Sequence, residues 1–314
     1  MKKVKSIAQS YYARKDIQEA IYEFCKNRET IPRYLEQFGK RPDMLDYQSD
    51  ILNEAKKGAT SFHCSEEIWQ NPLAISTSMS QDEYNNERTG WDFLIDIDSK
   101  YLDYSKIAAK LLIKALKYHG IENIGLKFSG SKGFHLLIPW KAFPKQISGE
   151  QTKHKFPEYP RVIAAYLKEM IQPSLSEELA HLEKNPEYQI IYKPTGEIAE
   201  KSKLSKYICP NCKSEMQSTT KSNRKKLRCP NCNGDTQLIN QEEIYISKND
   251  NSNKHPENFI KKPINKDIDA IDIILVASRH LFRAPYSLHE KTALSSAVIN
   301  TDEIDNFQPS DADP

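Results

Sequence analysis

Two short segments constrain this chain most: Trp91 to Asp98 reads WDFLIDID, and Ser129 to His135 reads SGSKGFH. A strand sends successive side chains to opposite faces, so Asp96 and Asp98 share one face while Phe93, Ile95 and Ile97 fill the other. Neighbouring carboxylates on one face repel each other and cost stability unless a cation lies between them. The glycine-flanked turn downstream offers hydroxyl, ammonium and imidazole groups, the makings of an anion cradle. A divalent cation beside a phosphate cradle points to nucleotide chemistry.

The surrounding pattern is regular. A helix is expected from about Tyr104 to His119, with Ile107, Ala108, Leu111, Leu112, Ala115 and Leu116 as its apolar stripe and Gly120 as its stop. NIGLKFS reads as a strand, SGSKG as a turn and FHLLIPW as the next strand, which continues one central sheet. The first ninety residues read as mainly helical: Ile17, Ile21, Phe24 and Cys25 fall on one stripe, and IPRYLEQFGKRPD extends that pattern to Gly39 and Pro42. LAIS, from Leu73, offers a short strand. From Pro157 to about Leu182 the pattern returns to helix, with Val162, Ile163, Tyr166, Leu167 and Ile171 as the buried stripe. SKNDNSNKHPEN reads as a surface loop or linker. Beyond it, Ile264 to Ile299 reads as a strand, a helix (about Ile271 to Leu281) and a second strand. The acidic, aperiodic TDEIDNFQPSDADP reads as a tail or the start of a further helical domain.

At 314 residues the chain holds one large or two modest domains. With 28% charged and 38% hydrophobic residues its composition is that of a soluble globular protein. The net charge is only +2, so any nucleic-acid surface must be a local basic patch. No run of about eighteen apolar residues argues for a membrane span, and MKKVKSIAQSYYARKD lacks the apolar core of a secretory signal. A reducing cytoplasm is therefore expected, where cysteines bind metal more often than they form disulfides.

Cys25 reads as core, and Cys64 as core or pocket lining. The other four cysteines form two CPNC pairs, Cys209/Cys212 and Cys229/Cys232, spaced C-x2-C-x16-C-x2-C. That spacing matches a structural zinc site, in which two knuckles close a tetrahedron and leave no open position for substrate. Between them KSNRKKLR carries Lys221, Arg224, Lys225, Lys226 and Arg228, either a solvated face or a contact for template phosphates.

A third element, IDIILVASRHLFRAPYSLHEKT, carries an acidic residue followed by Arg283, Ser287 and His289. Taken in order, the DID strand, the SGSKGFH turn and this segment resemble the three signature motifs of the archaeo-eukaryotic primase superfamily, over roughly Trp91 to Leu294. The pattern is like that of a primase small catalytic subunit with its zinc ribbon between the second and third motifs. FGKRPD and GATSFHCSEEIW also resemble the stand-alone prokaryotic primase-polymerases.

The resemblance implies roles. Asp96 and Asp98, with Asp272 as the third carboxylate and Asp269 as its rival, would hold two Mg²⁺ or Mn²⁺ ions, hard cations that favour carboxylate oxygen. Ser129, Ser131, Lys132 and His135 match the second motif and would face the incoming triphosphate, although eukaryotic members carry arginines where Ser131 and Lys132 stand. Arg283, Ser287 and His289 match the third and would also bind nucleotide, an arginine fork suiting phosphate geometry. Taken alone, Gly130 and Gly133 make an ordinary hairpin turn, His135 a core histidine, and Arg283 and His289 a helix cap; Tyr286 either stacks on a base or packs. His119 and His280 read as structural.

The implied fold is α+β: a primase-like catalytic core, mostly antiparallel with flanking helices and all three motifs in one cleft, with an inserted zinc ribbon. Residues 1–90 would be a helical N-terminal part of the core, 91–200 the core with the first two motifs, 201–240 the ribbon, 241–300 the third motif and 301–314 the acidic tail. The implied activity is template-directed nucleotidyl transfer from nucleoside triphosphates by a cytoplasmic, nucleoid-associated enzyme. Zn²⁺ would be structural, Mg²⁺ or Mn²⁺ catalytic, and a template or primer the partner, with an additional subunit or C-terminal domain and no membrane. The alternatives are a repair polymerase that extends without initiating, a catalytically inactive zinc-ribbon adaptor, and a metal-dependent nuclease, for which the phosphate cradle has no obvious use.

Overall fold

The structure is a computed structural model that describes residues 2–99, 101–184, 200–213, 215–220, 228–229, 231–232, 234–246, 272–273 and 277–314. The chain divides into two compact units, Met1–Leu179 with Ile268–Pro314, and Ala180–Asp267. No helix among the described residues is long and apolar enough to cross a membrane.

The first ninety residues are mixed, not mainly helical. Helices α1 (Lys2–Tyr12) and α2 (Lys15–Cys25) lead into a hairpin of β1 (Thr30–Tyr34) and β2 (Gln37–Phe38), followed by α3 (Gln48–Lys57) and β3 (Ser61–Ser65). IPRYLEQFG is thus a hairpin. Ile31 and Arg33, two residues apart, share one face of β1, and Leu35 turns the chain at φ 60°, its N–H donated to the Thr60 hydroxyl. Helix α3 ends at Gly58, whose φ of 109° suits glycine. After β4 (Glu67–Trp69), the expected strand at LAIS is a 3-10 turn over Pro72–Ala74, started by Asn71, whose side chain accepts the Leu73 N–H. Then come α4 (Gln81–Glu87), β5 (Arg88–Trp91) and β6 (Phe93–Asp98), the strand that carries the aspartates.

Helix α5 (Leu102–Tyr118) matches its expected span, and Ala108, Leu111, Leu112, Ala115 and Leu116 are buried. It is followed by β7 (Gly125–Phe128), β8 (Phe134–Ile138), the short pair β9 (Gln146–Ile147) and β10 (Glu150–Gln151), and α6 (Glu158–Lys184). The buried stripe of α6 differs from expectation. Ala164, Leu167, Ile171 and Leu175 are inside, whereas Val162 and Tyr166 are 67% and 51% exposed. The inward positions recur at spacings of three and four from Ala164, so the small alanine, not the larger neighbours, sets the packed face.

In the second unit, β11 (Glu200–Ile208), β12 (Glu215–Thr220) and β13 (Gln237–Ile246) form an antiparallel sheet in the order β12-β11-β13. The chain returns to the first unit with β14 (Asp272–Ile273), β15 (Leu281–Arg283) and β16 (Val298–Ile299). Among the described residues the helix expected over Ile271 to Leu281 is not formed: Asp272–Ile273 and Leu281 are strand, and Arg279 turns the chain at φ 59°. Asp269 and most of the basic run from Lys221 lie outside the described residues.

The motifs are shared between two antiparallel sheets, not carried by one. The larger has the order β14-β6-β8-β7-β16 and holds the first two motifs; the other, β15-β3-β1-β2, holds Arg283. One face of the larger sheet is apolar, with Ile95, Ile97, Leu126, Phe128, Phe134 and Leu136 all buried. Its opposite face carries Leu94, Asp96, Asp98, Lys127 and His135, as period-two alternation requires. Leu94 joins Phe62, Cys64, Phe282 and Leu288 in a second core that also buries Cys25.

The acidic C-terminal stretch is part of the core and not a tail. Ile304, Phe307 and Ala312 are buried, and the Phe307 ring lies 5.0 Å from that of Phe128. Lys106 Nζ donates to the Phe307 carbonyl at 2.6 Å, and Ser295 N–H to the Ala312 carbonyl at 2.8 Å. Burying one such phenylalanine stabilises by about 1.5–3 kcal/mol, enough to outweigh the solubility of its acidic neighbours.

Candidate active site

Register assembles the first two motifs. Asp96 lies opposite His135, which lies opposite Lys127 on the next strand, and Asp98 lies opposite Asp272. These positions fall on one face of the sheet because opposed residues of an antiparallel pair share a side. His135 Nε2 is 3.4 Å from an Asp96 carboxylate oxygen, and Lys132 Nζ is 3.7 Å from one of Asp98. Asp98 is half exposed at 49%, so the carboxylate edge opens to solvent.

Burial disfavours positive charge on the nitrogen bases beside the carboxylates. Burial, with the charges of Lys127 and Arg283, holds the His135 imidazole well below its usual range, and its Nδ1 has no hydrogen-bond partner among the described residues. Burial likewise pulls Lys127 down to about 7, with Arg283 adding to the effect and Asp96 opposing it. Lys127 donates to the Ser296 hydroxyl at 2.8 Å and sits over the Phe282 ring.

The glycine turn is closed from within. Ser129 N–H donates to the Gly133 carbonyl, and Gly133 N–H to the Ser129 hydroxyl at 3.1 Å. The Ser129 hydroxyl, expected to face triphosphate, is thus a turn acceptor; Ser131 and Lys132 are the half-buried side chains the turn presents. A Cβ on Gly133 would stand 2.4 Å from the Ile97 carbonyl oxygen, and one on Gly130 2.7 Å from the His289 Cβ. The glycines therefore bring the second motif against both the first and the third.

The third motif divides its residues between two tasks. Arg283 is 8% exposed and all three edges of its guanidinium are engaged: Glu290 at 2.7 Å, the Leu288 carbonyl at 2.7 Å and the Ser129 carbonyl at 3.2 Å. It ties this loop to the glycine turn from inside, where the sequence reading had it reach nucleotide phosphates. Ser287, fully buried, accepts the Phe62 N–H at 2.7 Å and serves packing in the same way. His289 keeps a different geometry. Its Nδ1 accepts the N–H groups of Lys291 and Thr292, and burial together with Arg283 pushes its pKa down to about 4. The neutral ring then carries its proton on Nε2, a donor suited to an anionic oxygen. The helix that His289 and Arg283 might have capped is not there.

Several residues of this region carry no sequence signature. Glu66 and His280 form a pair at 2.6 Å; burial raises the Glu66 carboxyl to about 7, and the hydrogen bond from Glu66 raises His280, with Asp96 contributing to both. Glu29, buried, is gripped by Arg41 and Arg279 at 2.7 and 2.8 Å. Arg28 pairs with Asp92 beneath the start of β6 and donates to the Ser65 and Glu66 carbonyls. The hint was compositional: the adjacent acidic residues Glu66 and Glu67 and the adjacent basic residues Arg279 and His280 stand at the ends of apolar strands, where buried charge must be paired.

In the second unit the four cysteine sulfurs lie within 4.8 Å of one another. Cys209 is 3.4 Å from Cys232 and Cys212 3.5 Å from Cys229. Tetrahedral zinc with bonds of about 2.3 Å to thiolate sulfur needs sulfurs slightly farther apart, so a small outward adjustment accommodates the ion. Lys213 N–H donates to the Cys209 carbonyl and Cys229 N–H to the Gly234 carbonyl, which forms the two knuckles.

The chain is similar to known proteins at three levels. An uncharacterized protein of Methanocaldococcus jannaschii is 31% identical over 122 residues, 38% of this chain and 26% of that protein, so the match spans about a quarter of the relative's length. The polymerase domain of Mycobacterium tuberculosis Ligase D, solved in complex with DNA, aligns with a TM-score of 0.45 at 12% identity, covering 98% of this chain and 83% of that one. Residues 95–301 match the family model of the DNA primase small subunit, a span from the first aspartate motif past His289 and well over half of the chain. The chain therefore belongs to the DNA primase small subunit family.

Proposed function

We propose that this chain is a template-directed nucleotidyltransferase, a primase or primase-polymerase that adds nucleoside triphosphates to a 3′-hydroxyl with release of pyrophosphate. The observation that carries the reading is the convergence of Asp96, Asp98 and the position of Asp272 on one sheet face, with Lys132 beside Asp98 and His289 packed against Gly130 of the glycine turn. The three aspartates are a hard-oxygen donor set that fits Mg²⁺ or Mn²⁺. Cations held there would activate the attacking hydroxyl and neutralise the triphosphate. The remaining work falls to the chain's own groups. Lys132 and the Nε2 proton of His289 orient phosphate oxygens. No side-chain nucleophile is needed for transfer of this kind.

Arg283, Ser129 and Ser287 act in this reading by holding the phosphate-facing residues in place. The Cys209, Cys212, Cys229 and Cys232 site takes Zn²⁺ and shapes the second unit, and the partner is a single-stranded template with or without primer. The test incubates the protein with template, Mn²⁺ or Mg²⁺ and labelled nucleotides, with and without a primer. Elongation that requires a primer leaves a polymerase and removes primase activity; binding of template without any product favours an inactive adaptor.

A further inference from the structure

The β1–β2 hairpin places an aromatic side chain where the sequence reading expected helix. Arg33 and Phe38 are direct cross-strand partners. The Arg33 guanidinium lies 4.9 Å above the Phe38 ring centroid, and the His63 ring meets the same ring edge-on at 5.0 Å. Phe38 is nevertheless 46% exposed. One part of the ring is thus backed by a cation and an imidazole while the rest is open to water, although burial of such a ring would stabilise the fold by roughly 1.5–3 kcal/mol.

Single exposed phenylalanines are common and need no explanation by themselves. The anchoring of this one sets it apart. Arg33 Nη1 is 3.1 Å from Glu290, whose other carboxylate oxygen holds Arg283 at 2.7 Å. Glu290 follows His289 directly in the chain, and the loop that bears both is pinned to the glycine turn through Thr292 and Gly130 at 2.6 Å. Contacts therefore run from the glycine turn, through Gly130 and Thr292, to the loop of His289 and Glu290, and from Glu290 to Arg33 and Phe38. In addition, Arg33 Nε is buried without a hydrogen-bond partner among the described residues, a donor that a neighbouring acceptor would satisfy.

From this geometry we infer that Phe38, backed by Arg33 and His63, is a stacking platform for a nucleobase at the edge of the active site. The inference rests on the nucleotidyltransferase reading, and the ligand chemistry is the π-face of a base. A nucleoside triphosphate and a single-stranded template both present one, and the platform would accept any base, because every base has such a face.

The test uses the full chain and direct binding, not polymerisation. A Phe38→Trp variant gives a fluorescent reporter at the platform. Four probes are titrated: a nucleoside triphosphate, inorganic triphosphate, a single-stranded oligonucleotide and the same oligonucleotide with abasic positions. Quenching by a base-containing probe but not by its baseless counterpart is expected, and the responding pair identifies free nucleotide or strand as the ligand. Phe38→Ala should weaken that probe about five- to 150-fold, with Phe38→Tyr restoring it and Phe38→Leu not. Thermal unfolding of each variant should match wild type, as the ring is half exposed. If wild type binds the probes and Phe38→Ala binds them equally well, the platform is overturned and the nucleotidyltransferase reading stands. If wild type binds none of them, both fall.

Discussion

Asp272 occupies the position directly opposite Asp98 across the pairing of β14 with β6. Like charges directly opposed on one sheet face destabilise it, so an antiparallel pair that sets two aspartates together favours a cation between them. Asp272→Asn is expected to lower primer extension by at least about a thousandfold, whereas Asp269→Asn should keep activity within severalfold of wild type. Isothermal titration with Mn²⁺ distinguishes loss of the ion from loss of folding. An inactive Asp269→Asn protein beside an active Asp272→Asn protein would reverse the assignment.

Gly133 allows β6 to approach the glycine turn. A Cβ there meets the Ile97 carbonyl oxygen at 2.4 Å, and backbone cannot swing aside as a flexible side chain can. Gly133→Ala should therefore cost about 1–3 kcal/mol of stability and displace the Lys132 turn from Asp98. The measurements are chemical denaturation and nucleotide KM. Wild-type values for both would show that the sheet absorbs the methyl group.

The Glu29 cluster makes stability depend on acid. Burial raises the Glu29 carboxyl, but Arg41 and Arg279 more than offset this and hold it below its ordinary value of 4.5. A carboxyl whose folded pKa is depressed contributes stability that is present above the unfolded pKa and lost as pH falls through the folded one. Wild type should thus lose stability progressively below about pH 4.5, and Glu29→Gln should flatten that slope. At neutral pH the same variant should cost about 3–5 kcal/mol, since it leaves the guanidinium of Arg279 unpaired. Denaturation curves between pH 3 and pH 7 check both effects.

Zinc should be a folding ligand for the second unit and not a participant in chemistry. One zinc per chain is expected by elemental analysis. Chelation, or Cys229→Ser, should abolish the protection of residues 200–246 against proteolysis, because a closed four-thiolate site contributes its binding free energy to folding. Mn²⁺ affinity at the aspartates should stay unchanged. A protected second unit in the metal-free protein would remove the structural role.

How far the sequence could be read depended on the range of the forces involved. Helix α5 and strands β6 to β8 were legible because apolar periodicity and glycine stops are local and strong. The same rules misled over IPRYLEQFG, where two- and three-residue periods overlap, and over Ile271 to Leu281, where strand pairing with β6 and β3 outweighs an apolar run compatible with helix. The acidic C-terminal stretch looked like a tail because its anchors, Ile304 and Phe307, are few and its charges many, yet burial energy follows the anchors.

The sequence by itself determined the chemistry on offer: paired aspartates on a strand, a glycine turn with Lys132 and His135, a third motif with His289, and four cysteines at ribbon spacing. Their order along the chain carried the family resemblance, because motif order survives without knowledge of distance. Only the tertiary structure decided which of these side chains are buried and paired within the protein. Arg283 and Ser287 turned inward because Glu290, Leu288 and Phe62 offered buried partners that nothing local could announce. Phe38 stays 46% exposed although Arg33 lies over its ring, and Arg33 is itself held by Glu290 from a distant part of the chain.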